Sequence, residues 1–226
     1  MKIGILQCGT APADLEARFG TYAAMMRQML GPDRDYMVHD VTAGDMPADV
    51  AAAGAYIVTG SAAGVYDDLP RIPMLMRLFQ DARHKTKLVG ICFGHQAMAE
   101  AFGGTVAKSE KGWGVGLHRY DVRDPSAWMD DVPQVAIPDS HHDPVVRRST
   151  DARIISSSDF TPHAALDYGD TISFQYHPEF GADFAKALIE RRRERMGPLA
   201  DRAPASLEQP DDRPRVASWI GRFLEP

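Results

Sequence analysis

Short apolar runs separated by longer amphipathic ones constrain this chain more than any other feature. KIGILQ, YMVHDV, AYIVTG and KLVGI are each short, apolar and bounded by polar or turn residues. Runs of that kind are strands buried on both faces, as in a parallel sheet covered by helices. Between them, Phe19 to Leu30 reads as a helix, and IPMLMRLFQDARHK sets Ile72, Leu75, Met76 and Phe79 at helical spacing with Pro73 in a first turn. HQAMAEAF, from His95, reads as a helix ended by Gly103 and Gly104, because glycine takes the left-handed conformation past a last turn at little cost. This order predicts an α/β fold with a mostly parallel central sheet and helices on both faces.

The second half is richer in strand-like runs: TVAK, VGLHRYDV, QVAIPDS, ARIISSS, HAALDY and TISFQYH. Strands in succession imply antiparallel hairpins added to the parallel core. Ala182 to Arg195 reads as an amphipathic helix packed beside the first strands, with its basic end at the negative helix terminus. MGPLADRAPASLEQPDDRPR reads as a loop, and VASWIGRFL offers Val216, Trp219, Ile220 and Phe223 as the apolar face of a short terminal helix. We therefore expect residues 1–226 to form one domain, with 196–226 a loop and docked helix.

Composition narrows the function. Hydrophobic residues at 44% and charged ones at 25% belong to an ordinary globular protein, and the formal net charge of −6 leaves no basic surface for nucleic acid. No apolar segment reaches the roughly 18 to 20 residues of a membrane helix, and MKIGILQCGT lacks the pattern of a secretory leader. A cytoplasmic protein is expected. The only cysteines, Cys8 and Cys92, are too few for a disulfide framework, and no Cys or His pair has zinc-site spacing.

Cys92 stands between glycines in VGICFGHQ, after the KLVGI run. Taken alone it fits a small buried residue at a strand end as well as a nucleophile. The form Gly-X-Cys-X-Gly is that of a nucleophile elbow, where a strand turns sharply into a helix and small neighbours permit close backbone approach. A helix starting after Cys92 would aim N–H groups at the sulfur and favour thiolate. A thiol nucleophile needs a base, and the base needs an orienting group. FQYHPEF supplies both: His177 follows an apolar strand, and Glu179 lies two residues on, so their side chains emerge on one face of an extended backbone, with Pro178 fixing the local conformation.

Together, GICFGHQ and YHPE resemble the class I glutamine amidotransferase family, whose Cys-His-Glu triad hydrolyses the side-chain amide of glutamine. IVTGSAAGVYDD, GGTVAKSEKGWGVG and SHHDPV extend the likeness to stand-alone members similar to the amidotransferase domain of GMP synthase. The resemblance implies a flavodoxin-like open three-layer sandwich, Cys92 as nucleophile, His177 as base and Glu179 as orienting carboxylate. It places Gly60 at the second oxyanion donor beside the Phe93 N–H, and Gln96 at the substrate, although Gly60 also suits a plain glycine-rich turn and Gln96 a capping side chain. No cofactor or metal is implied.

Other residues carry weaker signals. Adjacent His141 and His142 with Asp143 point to opposite faces of a strand, against a metal site and for a supporting role. Gly112 to Gly116 suits a cover over the pocket or a hairpin. His95 is expected to point away from the sulfur, and Cys8 to be core or rim. Three functions follow: glutamine hydrolysis to glutamate and ammonia through a Cys92 thioester, for a separate synthase partner; hydrolysis of other γ-glutamyl amides by the same triad, as in a γ-glutamyl peptidase; and a noncatalytic module on the same fold. No Walker-type loop is present to bind an ammonia acceptor, so a partner supplies that site or the product leaves directly.

Overall fold

The computed structural model describes residues 1–225. The first half runs β1 (Ile3–Gln7), α1 (Ala13–Phe19), α2 (Tyr22–Leu30), β2 (Tyr36–Asp40), β3 (Ala55–Val58), α3 (Arg71–Ala82), β4 (Lys87–Ile91) and α4 (Phe93–Ala101). The second runs β5 (Thr105–Val106), β6 (Gly114–Val122), β7 (Gln134–His141), β8 (Val145–Arg147), β9 (Arg153–Ser157), β10 (Ala165–Asp167), β11 (Thr171–Phe174), α5 (Ala182–Arg191), α6 (Arg193–Met196), α7 (Leu199–Ser206) and α8 (Arg213–Leu224).

Among the described residues a nine-stranded sheet has the order β2-β1-β3-β4-β11-β10-β9-β6-β7. It is parallel from β2 through β11 and antiparallel beyond, and β5 and β8 pair separately. The parallel part has the flavodoxin-like strand order, with β11 in the fifth place. Strand alternation sorts the two faces. Ile3, Ile5, Ala55, Ile57, Val89 and Ile91 pack with α2 and α8, whereas Leu6, Tyr56, Val58 and Leu88 pack with α3 and α4. The outcome is the three-layer α/β arrangement.

Register joins the two distant motifs. Ile91 at the end of β4 pairs with Phe174 at the end of β11, and the Cys92 N–H donates to the Phe174 carbonyl at 2.8 Å. Just beyond, the His177 N–H donates to the Pro138 carbonyl of β7 at 2.9 Å. Parallel pairing thus sets Cys92 and His177 at neighbouring carboxyl ends of strands, where open α/β sheets bind ligands.

Local departures from expectation have local causes. The helix expected over Phe19 to Leu30 starts at Tyr22, and Phe19 instead ends the separate α1, because Gly20 adopts φ 85° and Thr21 caps α2 by accepting from the Ala24 N–H at 3.1 Å. α4 begins at Phe93, two residues before His95, because Cys92 itself occupies the cap position. α5 stops at Arg191 and a short α6 follows Arg192, where one continuous helix was expected. α5 packs on α1, α7 and the β6–β7 ribbon instead of the first strands, since Phe184, Leu188 and Ile189 meet Leu15 and Ala203 in a third core cluster. The expected loop after residue 196 contains α7, whose Ala200 and Ala203, followed by Leu207, face that cluster with helical spacing.

Candidate active site

β4 delivers Cys92 with φ 50° and ψ −100°, a conformation a non-glycine residue rarely adopts. The flanking glycines make this turn physically allowed. A Cβ at Gly94 would lie 2.6 Å from the Val58 carbonyl oxygen, and one at Gly90 would lie 2.7 Å from the Gly94 carbonyl carbon. Both obstacles are backbone and cannot swing aside. The N-terminus of α4 follows at once, so the Phe93 N–H is one of the first-turn donors without an intrahelical acceptor.

His177, 3% exposed, lies beside Cys92 across the Gly60 backbone and contacts Glu179 Oε1 through Nδ1 at 2.8 Å. Its ring stacks on Phe180 with centroids 3.9 Å apart, which fixes its plane. Burial opposes a charge on His177, but Glu179 and Cys92 outweigh it and raise its pKa to about 10. Gly60 lies against the pair: a Cβ there would sit 3.2 Å from His177 Cε1 and 3.7 Å from Cys92 Cβ. Thr59 and Cys8 brace this loop from behind, the Cys8 N–H donating to Thr59 Oγ1 at 3.0 Å, and Cys8 is a buried free thiol whose pKa burial pushes up.

The fold therefore brings Cys92, His177, Glu179, Gly60 and Phe93 together. Gln96, one turn into α4, donates through Nε2 to the Asp143 carbonyl at 2.6 Å, which ties α4 to the SHHDPV segment. His141 and His142 diverge as the strand geometry requires. His141 is buried against Asp139 through Nδ1 and reaches Thr161 Oγ1 at 3.3 Å through Nε2, while His142 contacts Asp143 at 3.0 Å. His95 turns away from the sulfur to Ser173 Oγ at 2.8 Å, and burial lowers its pKa to about 3. Trp113, within the GWGVG stretch, packs edge-on to the His142 ring and lines the pocket.

Two residues escaped the reading of the sequence. Gln175, fully buried, points Nε2 at Cys92 Sγ at 3.7 Å. Its signal was present: Ser173, Gln175, His177 and Glu179 alternate with apolar Phe174 and Tyr176 in a buried segment, so the polar set shares one face. Arg192, inside a basic run that reads as a solvated helix end, instead lines the pocket over Cys92. That pocket has a volume of about 330 Å³ and also reaches Ser61, Gln96, Lys108 and Trp113.

Comparison with known proteins agrees with this geometry. The class-I glutamine amidotransferase family matches residues 55–192. A glutamine amidotransferase-like protein of Schizosaccharomyces pombe is 26% identical over 98% of both chains, and Gamma-glutamyl peptidase 5 of Arabidopsis thaliana is 26% identical over 92% of this chain and 88% of its own. A glutamine-hydrolyzing GMP synthase of Parafrankia is 33% identical over 64% of this chain but only 27% of its own length. The crystal structure of a glutamine amidotransferase from Thermotoga maritima superposes with a TM-score of 0.80 over 100% of this chain and 99% of that one, at 17% identity. Members of the family this fold and these relatives define are hydrolases or amidotransferases. This chain belongs to the class-I glutamine amidotransferase family.

Proposed function

We propose that the protein hydrolyses γ-glutamyl amides through a thioester on Cys92. The observation that carries this reading is His177 held between the Cys92 thiol and Glu179 at a strand end, beneath a pocket open to solvent. The sulfur attacks as a thiolate, with the proton of the pair held on His177. The thiolate adds to the γ-carbonyl carbon, and the resulting oxyanion lies within the reach of the Phe93 and Gly60 N–H groups. His177 then gives its proton to the leaving nitrogen, the C–N bond breaks and the thioester remains. Water loses a proton to the same imidazole and attacks the thioester. The C–S bond breaks, glutamate leaves, and the Cys92–His177 pair is restored with its shared proton. Gln96 positions the pocket wall next to the substrate.

Glutamine is the smallest such substrate, with ammonia passing to a separate synthase or to solvent. A second reading, cleavage of γ-glutamyl peptides, draws support from the peptidase relatives that match most of the chain and from a pocket that extends past the sulfur to Trp113 and Lys108. Incubation with glutamine and with γ-glutamyl dipeptides, alongside Cys92→Ala, tests the proposal by glutamate release. We expect turnover by the wild type and none by Cys92→Ala. Equal glutamate release from both proteins would overturn the assignment.

A further inference from the structure

The pocket over Cys92 is lined by three cations that pair with no carboxylate among the described residues. Arg192, Arg195 and Lys108 all line it, in a protein of net charge −6. The arginines of the same run that face outward are paired: Arg191 with Asp14 at 3.6 Å, and Arg193 with Glu190 at 2.6 Å and Asp201 at 2.5 Å. Among the described residues, none of the three pocket cations has a carboxylate within 4.0 Å. Arg195 lies over the Trp113 ring and Lys108 over the Tyr66 ring, while Arg192 has one long hydrogen bond, to Ser140 Oγ at 3.4 Å.

The pocket's own acids are already engaged. Asp67 accepts from the Gly64 N–H at 2.9 Å, and Asp143 accepts from the Tyr66 hydroxyl at 2.9 Å and meets His142 at 3.0 Å. A half-buried guanidinium without a counter-ion is costly unless a ligand supplies one. The break between α5 and α6 falls at Arg192, whose backbone leaves the helical conformation at φ −106° and ψ 13°.

Arg192 also has a defined side. Its guanidinium donates to Ser140 Oγ, two residues along β7 from Pro138, whose carbonyl accepts the His177 N–H at 2.9 Å. Arg192 therefore approaches the sulfur from the His177–Glu179 side, where the leaving nitrogen must receive its proton. A ligand anion on that side belongs to the leaving group.

We propose that Arg192 binds a carboxylate on the leaving amine and selects γ-glutamyl-α-amino acids over glutamine. Guanidinium and carboxylate match as a two-pronged hydrogen-bonded pair, which lysine cannot reproduce. The assignment rests on the γ-glutamyl hydrolase reading above and names its substrate class and the residue that sets it.

A matched pair of substrates tests it. γ-Glutamylglycine and γ-glutamylmethylamide share the scissile amide and differ in the carboxylate. For the wild type, kcat/KM is expected to be about 10- to 100-fold higher with γ-glutamylglycine, the range of a charge-assisted hydrogen bond. Arg192→Gln should bring that ratio near one through KM for γ-glutamylglycine alone, Arg192→Lys should fall between, and Arg193→Gln, on the outward face, should change neither substrate. A wild-type ratio near one, or an equal loss on both substrates in Arg192→Gln, overturns the assignment while leaving the hydrolase reading intact. Absence of turnover on every γ-glutamyl compound overturns both.

Discussion

His177 shows how one residue's chemistry is set by what it touches. Burial works against its charge, yet Glu179 and Cys92 raise its pKa from 6.5 to about 10. Glu179→Gln removes the first of the two charges that outweigh burial, so the His177 titration followed by NMR should move down from about 10, and turnover should drop by about 10²- to 10⁴-fold. A titration still near 10 in that variant would assign the shift elsewhere. The same interaction stabilises the fold with a definite sign. Because the folded pKa is raised, the contribution is complete below pH 6.5 and fades as pH rises to about 10. Denaturant melts of wild type and His177→Gln should therefore converge across that window. The meeting of Cys92, His177 and Glu179 was legible because the chemistry expected of them demands specific neighbours in sequence. Arg192 was not, because its partner is a ligand and its orientation depends on a helix break that the basic run conceals.

At the scale of elements, the elbow depends on backbone passing close to backbone. Helix propensity alone favours alanine over glycine at Gly94 by about 1 kcal/mol. The Val58 carbonyl oxygen, 2.6 Å from the Cβ position, reverses the sign, so Gly94→Ala should lower stability by about 1–3 kcal/mol in denaturant melts. A stabilised variant would show that β3 and α4 are less tightly apposed. The core strands of the parallel half were legible because each is a short apolar run that must be covered on both faces. α7 was masked by Pro198, Pro204 and Asp201, which weigh toward loop, although Ala200, Ala203 and Leu207 carry the spacing of a buried stripe. β8 was missed too, since a three-residue strand pairing with a two-residue one leaves almost no periodicity to read.

At the scale of the whole molecule, the two faces of the sheet are closed by different parts of the chain. α3 and α4 come from the segment between strands, whereas α8 returns to pack on α2 beside β1. Trp219 is fully buried there and bonds Asp130 through its indole N–H. Trp219→Ala should cost about 3–5 kcal/mol of stability, while KM for a γ-glutamyl substrate stays unchanged because α8 lines no part of the pocket over Cys92. A large KM change without a stability change would tie α8 to the site. The terminal helix was legible from its apolar face, but its seat on α2 was not, since long-range packing leaves no local trace. Cooperation between distant segments also governs the turn at Cys92. A cysteine held at φ 50° is strained by about 1–3 kcal/mol, and only the apposed glycines, β3 and the first turn of α4 keep it so. The synthesised chain thus carries two unremarkable thiols until it folds, and an alkylating probe that prefers Cys92 to Cys8 should lose that preference at the denaturant concentration where the fold itself melts.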